Sequence, residues 1–450
     1  MSISAALLVT LLINVMFSPS SSSSSSILPS LSTLGREEAR NYNSLTYLYH
    51  KYWLNQPVDD MLEQSVLHLK NLLHVMCTNS AFLDKIEYKQ KILPAGRFNY
   101  IEIKNEAKSA NPRTLVLMHG YASGVGFFYN NLEQFSKKFD RVIAIDWLGF
   151  GASSRYSKGN HVCPKRSIFS DIIDNLLPTS NILPKHNPKD TTDFFVNGLH
   201  QFIEDDEELG TAENKFYIAG HSLGGYLTAR YTLKHPEKIE RLIMISPVGI
   251  EKIPDSLNIL QLPWGVNLVR LLWSVNFTPQ SILRLLPEQR GKKMVETSMH
   301  RRFGGRFEPA QLEAISNYLY YISSAPAANA EYALNSIMIP IASKKQPTDP
   351  AVLATITNER QRAAMGRNYR LSIHAREPLY DDFARIKSIP IYVAYGDDDW
   401  LSYDKVSDDI KALQDSGVNI SLTTIKNAGH HLYLDNTQMF HDTINEWLEK

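Results

Sequence analysis

Cysteine is nearly absent: the 450 residues include two, Cys77 and Cys163. That rules out a disulfide framework and a cysteine-based zinc site, and it fits a reduced compartment. Excess charge is also lacking. Lysine and arginine number 47, as do aspartate and glutamate, so net charge gives no argument for nucleic acid as a partner. There is no dinucleotide fingerprint, Walker loop or paired metal-ligand run, and no cofactor is implied. Basic residues are missing from the start of the chain, the first being Arg36. The uncharged run Ile3 to Phe17 is short for a membrane span and resembles a signal h-region, yet nothing basic precedes it, as a secretory n-region or an arginine-rich presequence requires. A serine tract, Ser20 to Ser26, follows. Residues 1–35 read as a targeting or anchoring leader with a linker, not as fold. Cleaved signal, retained anchor and organelle presequence all stay open.

The chain does have apolar content sufficient for a sizeable core, 43%. Residues 36–96 read as a helical extension, with apolar residues at helical spacing over Glu38 to Trp53 and Met61 to Val75. From about Arg97 strands and helices alternate. Strands are expected at Phe98–Ile103, Thr114–Met118, Val142–Ile145, Phe216–Ala219 and Leu242–Ile245. Helices are expected at Phe127–Lys138, Thr191–Asp205 and Leu223–His235. Residues 154–189, polar and proline-bearing, read as a surface insertion. Residues 247–385 are helix-rich without strand alternation. Alternation returns over 386–450, with strands Ile389–Ala394 and Ile420–Ile425 and helices Lys405–Leu413 and Thr437–Leu448. The pattern predicts an α/β fold: a mostly parallel sheet with helices on both faces, and a helical cap over the strand carboxyl ends, where ligands bind in such sheets.

Chemistry centres on Gly220-His221-Ser222-Leu223-Gly224, which passes from an apolar run into a helix. In that setting glycine-x-serine-x-glycine is a nucleophile elbow, a sharp turn lifting the serine hydroxyl above the sheet edge. Serine alone is a poor nucleophile and needs a base and an orienting acid. These follow in the order acid then histidine: Asp399, three residues after Gly396, and His430 after Gly429. Asp397 and Asp398 compete as loop carboxylates, and His431 competes with His430. The N–H groups of Tyr121 and Leu223 are the expected oxyanion donors. His119 and Asp146 read as structural. Asp435 or Asn436 stands where a side chain caps the last helix. The apolar stretch Leu262–Phe277, with Arg270 its only charge, reads as buried cap, with a lipid-facing role as the alternative. Arg284, Lys292, Lys293, Arg301, Arg302 and Arg306 read mainly as a solvated basic face, with contact to phosphate head groups as the other option.

Four segments then carry a resemblance: His119-Gly120-Tyr121, Ala144 to Gly151 with Ser153-Ser154-Arg155, the elbow through Tyr226, and Gly429 to Asn436. Together they resemble the α/β-hydrolase subfamily of lysophosphatidic acid acyltransferase-like phospholipases, cardiolipin-specific deacylase and the adipose triglyceride lipase coactivator. Asn276 to Gln280 and Arg302-Phe303-Gly304 look most like its plant members. The resemblance spans about Asn99 to Leu448. It implies a serine hydrolase acting on glycerophospholipid acyl esters. One alternative is an acyl-CoA-dependent lysophosphatidic acid acyltransferase, with His430 and Asp435 as its motif. Another, of a different class, is a non-catalytic coactivator of another lipase. The implied partners are a phospholipid membrane or lipid-droplet surface and an acyl-lipid substrate, with acyl-CoA for the acyltransferase alternative. The resemblance says little about targeting; the expected location is membrane-associated and intracellular, with mitochondrion, endoplasmic reticulum and lipid droplet left open.

Overall fold

The computed structural model describes residues 58–105, 112–155, 187–209, 214–251, 264–274, 278–303, 305–325, 329–344, 369–401 and 403–449. The leader, the expected helix Glu38–Trp53, Cys163 and most of the 154–189 insertion lie outside them.

Ten strands are described: β1 (Ile86–Leu93), β2 (Gly96–Lys104), β3 (Thr114–Met118), β4 (Arg141–Ile145), β5 (Phe216–His221), β6 (Ile239–Ile245), β7 (Met338–Lys344), β8 (Tyr369–Ala375), β9 (Ile391–Gly396) and β10 (Ile420–Ile425). Eight form one sheet in the order β1-β2-β4-β3-β5-β6-β9-β10. β2 runs antiparallel to β1 and β4, and the pairings from β4 to β10 are parallel.

The central parallel strands β3, β4, β5 and β9 are buried along their whole length because both faces are covered, whereas the edge strand β10 is half-buried over its middle. Successive side chains alternate between the faces. Val116, Met118, Ile218, Leu242 and Ile391 join one core, with Phe195, Leu199, Tyr226 and Ile410 from helices α2 (Pro188–Glu204), α3 (Leu223–Lys234) and α9 (Tyr403–Asp415). Leu115, Leu117, Ala219, Ile243 and Tyr392 join the other, with Leu72 from α1 (Val58–Met76) and Phe440, Ile444 and Trp447 from α11 (Thr437–Glu449). This is the α/β arrangement expected from the alternation.

The cap between β6 and β9 contains α4 (Trp264–Ser274), α5 (Pro279–Leu285), α6 (Glu288–Phe303), α7 (Pro309–Ser324) and α8 (Asn329–Ile337). Val295, Met299, Leu312 and Ile315 of α6 and α7 pack into the second core. α1 packs against α7, where His68 stacks on Tyr321 with centroids 4.3 Å apart. Within α4, Val269 and Trp273 are buried and Leu271 is exposed, so the described part of the apolar stretch faces protein on one side.

Three expectations need correction. The helical reading of residues 36–96 fails over Ile86–Leu93, which is β1 paired along its length with β2. Its lysines and glutamine resemble the wet face of a helix, but Ile86 and Tyr88 sit two apart on one face of a strand. Phe127–Lys138 is not one helix: a 3₁₀ turn, Val125–Phe128, is followed by a short helix, Leu132–Ser136. Asn131 breaks the run because its side chain binds the Tyr433 carbonyl and His441. The cap is not purely helical either, since β7 and β8 form an antiparallel pair within it.

Candidate active site

β5 ends at His221, and α3 begins at Leu223. Ser222 makes the whole turn between them, at φ 56° and ψ −116°. This is a backbone region that a side chain rarely occupies, and such strain collects at functional sites. The turn is held by the Ser222 N–H, which donates to the Ile245 carbonyl at 2.9 Å. It closes only because two neighbours lack a Cβ. A Cβ on Gly220 would lie 2.3 Å from the Gly224 carbonyl oxygen, and one on Gly224 2.5 Å from that of His119.

The loops after β9 and β10 bring the other two side chains to this edge. The Ser222 hydroxyl donates to His430 Nε2 at 3.0 Å, and His430 Nδ1–H donates to Asp399 Oδ1 at 3.0 Å. Asp399 also accepts from the Leu401 N–H, and its side chain is fully buried. Trp400 packs on the His430 ring at 4.8 Å. A serine, an imidazole and a carboxylate linked in this order can move the hydroxyl proton to nitrogen and stabilise the imidazolium formed.

The competing residues have other work. Asp397 accepts from the N–H groups of Asn427 and Ala428, which ties the acid loop to the base loop. His431 is half-buried beside His221, with ring centroids 4.9 Å apart, and desolvation there pushes its pKa well down. Asp146 accepts from Asn99, Val125 and Ala152, while His119 Nε2 accepts from the Trp147 N–H. Both hold the loops behind the Gly120-Tyr121 segment, the expected oxyanion donor.

That segment lies against the elbow: a Cβ on Gly120 would be 3.0 Å from Ser222 Cβ. Tyr121 follows, its ring edge-on to Trp273 of the cap and its hydroxyl donating to Gln280. Leu223 opens α3, so its N–H is among those with no partner inside the helix.

Two relationships had no signal along the chain. His221 Nε2–H donates to the His430 carbonyl at 2.9 Å, so the residue before the serine holds the loop that carries His430. Burial keeps His221 neutral, and the nearby His430 adds to the effect. Asp435 does not cap α11. Asn436 does so, accepting from the Met439 N–H. Asp435, at the end of α10 (Leu432–Asp435), accepts instead from the Gly429 N–H at 2.9 Å and pairs with Arg302 and Arg306 of the cap. The basic residues of the cap therefore differ in role. Arg284 is buried against Glu331, Lys292 pairs with Glu288, and Lys293 and Arg301 face solvent.

Sequence comparison agrees with this geometry. A 1-acylglycerol-3-phosphate O-acyltransferase from Arabidopsis thaliana is 27% identical over 350 residues, 75% of this chain and 67% of the relative. A (lyso)-N-acylphosphatidylethanolamine lipase from Homo sapiens is 24% identical over 88% of this chain and 95% of the relative. The family model for the alpha/beta hydrolase fold matches residues 113–437, from β3 through the base and into α11, and the chain belongs to that family.

Proposed function

We propose that the protein is a serine hydrolase that cleaves acyl esters of glycerophospholipids through an acyl-enzyme. One observation carries the reading: Ser222, His430 and Asp399 are joined by two 3.0 Å hydrogen bonds at a strained strand-to-helix turn. His430 takes the Ser222 proton as the oxygen bonds to the ester carbonyl carbon. The N–H groups of Tyr121 and Leu223 receive the oxyanion. His430 then protonates the departing alcohol, a lysophospholipid. Water, deprotonated by the same imidazole, releases the fatty acid. The lipid-acting names of the relatives support the substrate class.

The acyltransferase names of several relatives favour a second reading of the same site. There the acyl group comes from acyl-CoA, and a lysophosphatidic acid hydroxyl replaces water. A non-catalytic coactivator has no use for a complete serine, histidine and aspartate set, which is present here. A lipid surface is the natural partner for either activity, with the exposed Leu271 of the cap as a first contact.

The test is a fluorophosphonate probe with the wild type and Ser222→Ala, followed by product analysis on mixed phospholipids with and without acyl-CoA and lysophosphatidic acid. Labelling should vanish in Ser222→Ala. Lysophospholipid and free fatty acid should appear with the wild type. Labelling at wild-type level in the variant would falsify Ser222 as nucleophile.

A further inference from the structure

Helix α6 of the cap turns one face to solvent. Arg290, Lys293, Thr297 and Arg301 are exposed on it, spaced by three, four and four residues. That spacing puts them in one stripe, about 16 Å long at the helical rise. Glu296, the one exposed acid of the helix, stands at its flank. The whole chain balances 47 basic residues against 47 acidic ones, so a local excess of this kind is a departure.

Exposed lysines and arginines on a helix commonly pair with an acid one turn away. Here other residues do the pairing. Lys292 is bonded to Glu288, and Arg302 to Asp435. The side chains of Arg290, Lys293 and Arg301 form no ion pair or hydrogen bond among the described residues. Arg301 complements the carbonyl end of the helix dipole, which is reason enough for its charge. Arg290 has the opposite placement. It stands in the first turn, against the positive end, where an acid is preferred and a cation is unfavourable. Lys293, the sixth of 16 residues, gains nothing from either end. Neither charge stabilises the helix that carries it, so both are fitted to something outside the molecule.

Three unpaired cations in a row match a plane of phosphates rather than one phosphate in a pocket, and the guanidinium fork suits phosphate oxygens. The position also fits. Arg302, next along the helix, is bonded to Asp435, and Asp435 accepts from the Gly429 N–H beside His430. The end of the stripe is thus one carboxylate away from the loop that carries His430.

We propose that Arg290, Lys293 and Arg301 of α6 dock the protein on a bilayer that carries anionic phospholipid. The partner rests on the phospholipid reading of Ser222, and the stripe adds the charge that the membrane must have. Docking needs no chemistry, so the test reads binding.

Full-length Ser222→Ala protein is mixed with vesicles of phosphatidylcholine alone, and with vesicles of phosphatidylcholine and phosphatidylglycerol. The anionic vesicles should take up far more protein. An anchoring leader inserts into both alike, so the difference between them reports charge. Arg290→Gln, Lys293→Gln and Arg301→Gln together should cut partitioning on anionic vesicles by about a hundredfold, since each basic residue at such a leaflet is worth about fivefold. Neutral vesicles should be unaffected. Lys85→Gln, Lys137→Gln and Lys411→Gln, which remove the same charge from exposed positions elsewhere, should change little. Arg290→Glu alone should raise Tm, because it suits the helix dipole, and still weaken anionic binding by about twentyfold. It serves if the triple variant fails to fold. Equal uptake by the two vesicles, or equal loss in the two triple variants, overturns the proposal. Tighter binding to a DNA duplex than to anionic vesicles, abolished by the same stripe variant, makes this a nucleic-acid face and overturns it too. Failure of the wild type to label with fluorophosphonate removes the catalytic reading and leaves the vesicle result as it is.

Discussion

The Asp435 carboxylate sits 2.7 and 2.8 Å from one Arg302 nitrogen, which joins the loop of the base to the cap helix α6. Its second acceptor duty is to the N–H of Gly429, the residue before His430. Asp435 itself is almost fully buried, whereas Arg302 is partly wet and Arg306 half-exposed. The histidine-x4-aspartate pattern is therefore a clamp in this chain. One end is His430, hydrogen-bonded to Ser222, and the other fixes the backbone behind it.

Asp435→Asn keeps a side-chain acceptor for Gly429 but loses the charge that holds two arginines. A loss of about 1–3 kcal/mol in stability is expected, the range for hydrogen bonds to charged groups. Hydrolysis and acyl transfer should fall together, with their ratio unchanged, because both use His430. Denaturant unfolding and paired product assays check this. Transfer lost with hydrolysis intact would assign Asp435 its own chemical role.

Ser222→Gly should remove activity and still raise stability. Glycine adopts φ 56° and ψ −116° without the strain that serine bears, a cost of order 1–3 kcal/mol. The hydroxyl bond to His430 is lost as well, so the net gain should be about 1 kcal/mol. Urea unfolding of the wild type, Ser222→Ala and Ser222→Gly separates the two effects: the glycine variant should be the most stable.

Gly224→Ala should be poorly tolerated. Its Cβ would meet the His119 and Met118 carbonyl oxygens at 2.5 and 2.7 Å, both backbone atoms that cannot swing aside. Overpacking of this kind costs about 1–3 kcal/mol or more. Reduced soluble yield, a lower Tm and lost fluorophosphonate labelling are expected, since the oxyanion loop is what must shift.

Acid should weaken the fold before carboxylates titrate. Burial lowers the pKa of His119, well below the ordinary value for His221 and His431, and to about 3 for His441. As pH falls below about 6.5 the unfolded chain binds protons at these imidazoles and the folded chain does not. Stability is present in full above that pH and declines below it, by up to about 1.4 kcal/mol per pH unit for each imidazole. Urea unfolding at pH values from about 7.5 to 5.5 should show the slope. His441→Gln, which retains a donor for Asn131, should reduce it by one proton's worth. A flat profile would mean that these rings take up protons in the folded state.

The sheet and its elbow were legible because their causes are local. Alternating faces show as apolar runs, and the two glycines flanking Ser222 stand beside the turn they permit. The order of acid and base along the chain then followed from loops after strands. β1 was missed where lysines hid a two-residue period, and the β7–β8 pair where a helix-rich stretch masked it.

The amino-acid sequence by itself determined where a serine could be strained into reach and which strands had to be buried on both sides. Only the tertiary structure decided that Asp435 clamps Arg302, 133 residues away, and that His221 holds the His430 carbonyl. Backbone geometry depends on neighbours in the chain, whereas the partner of a charge depends on which folded surfaces meet.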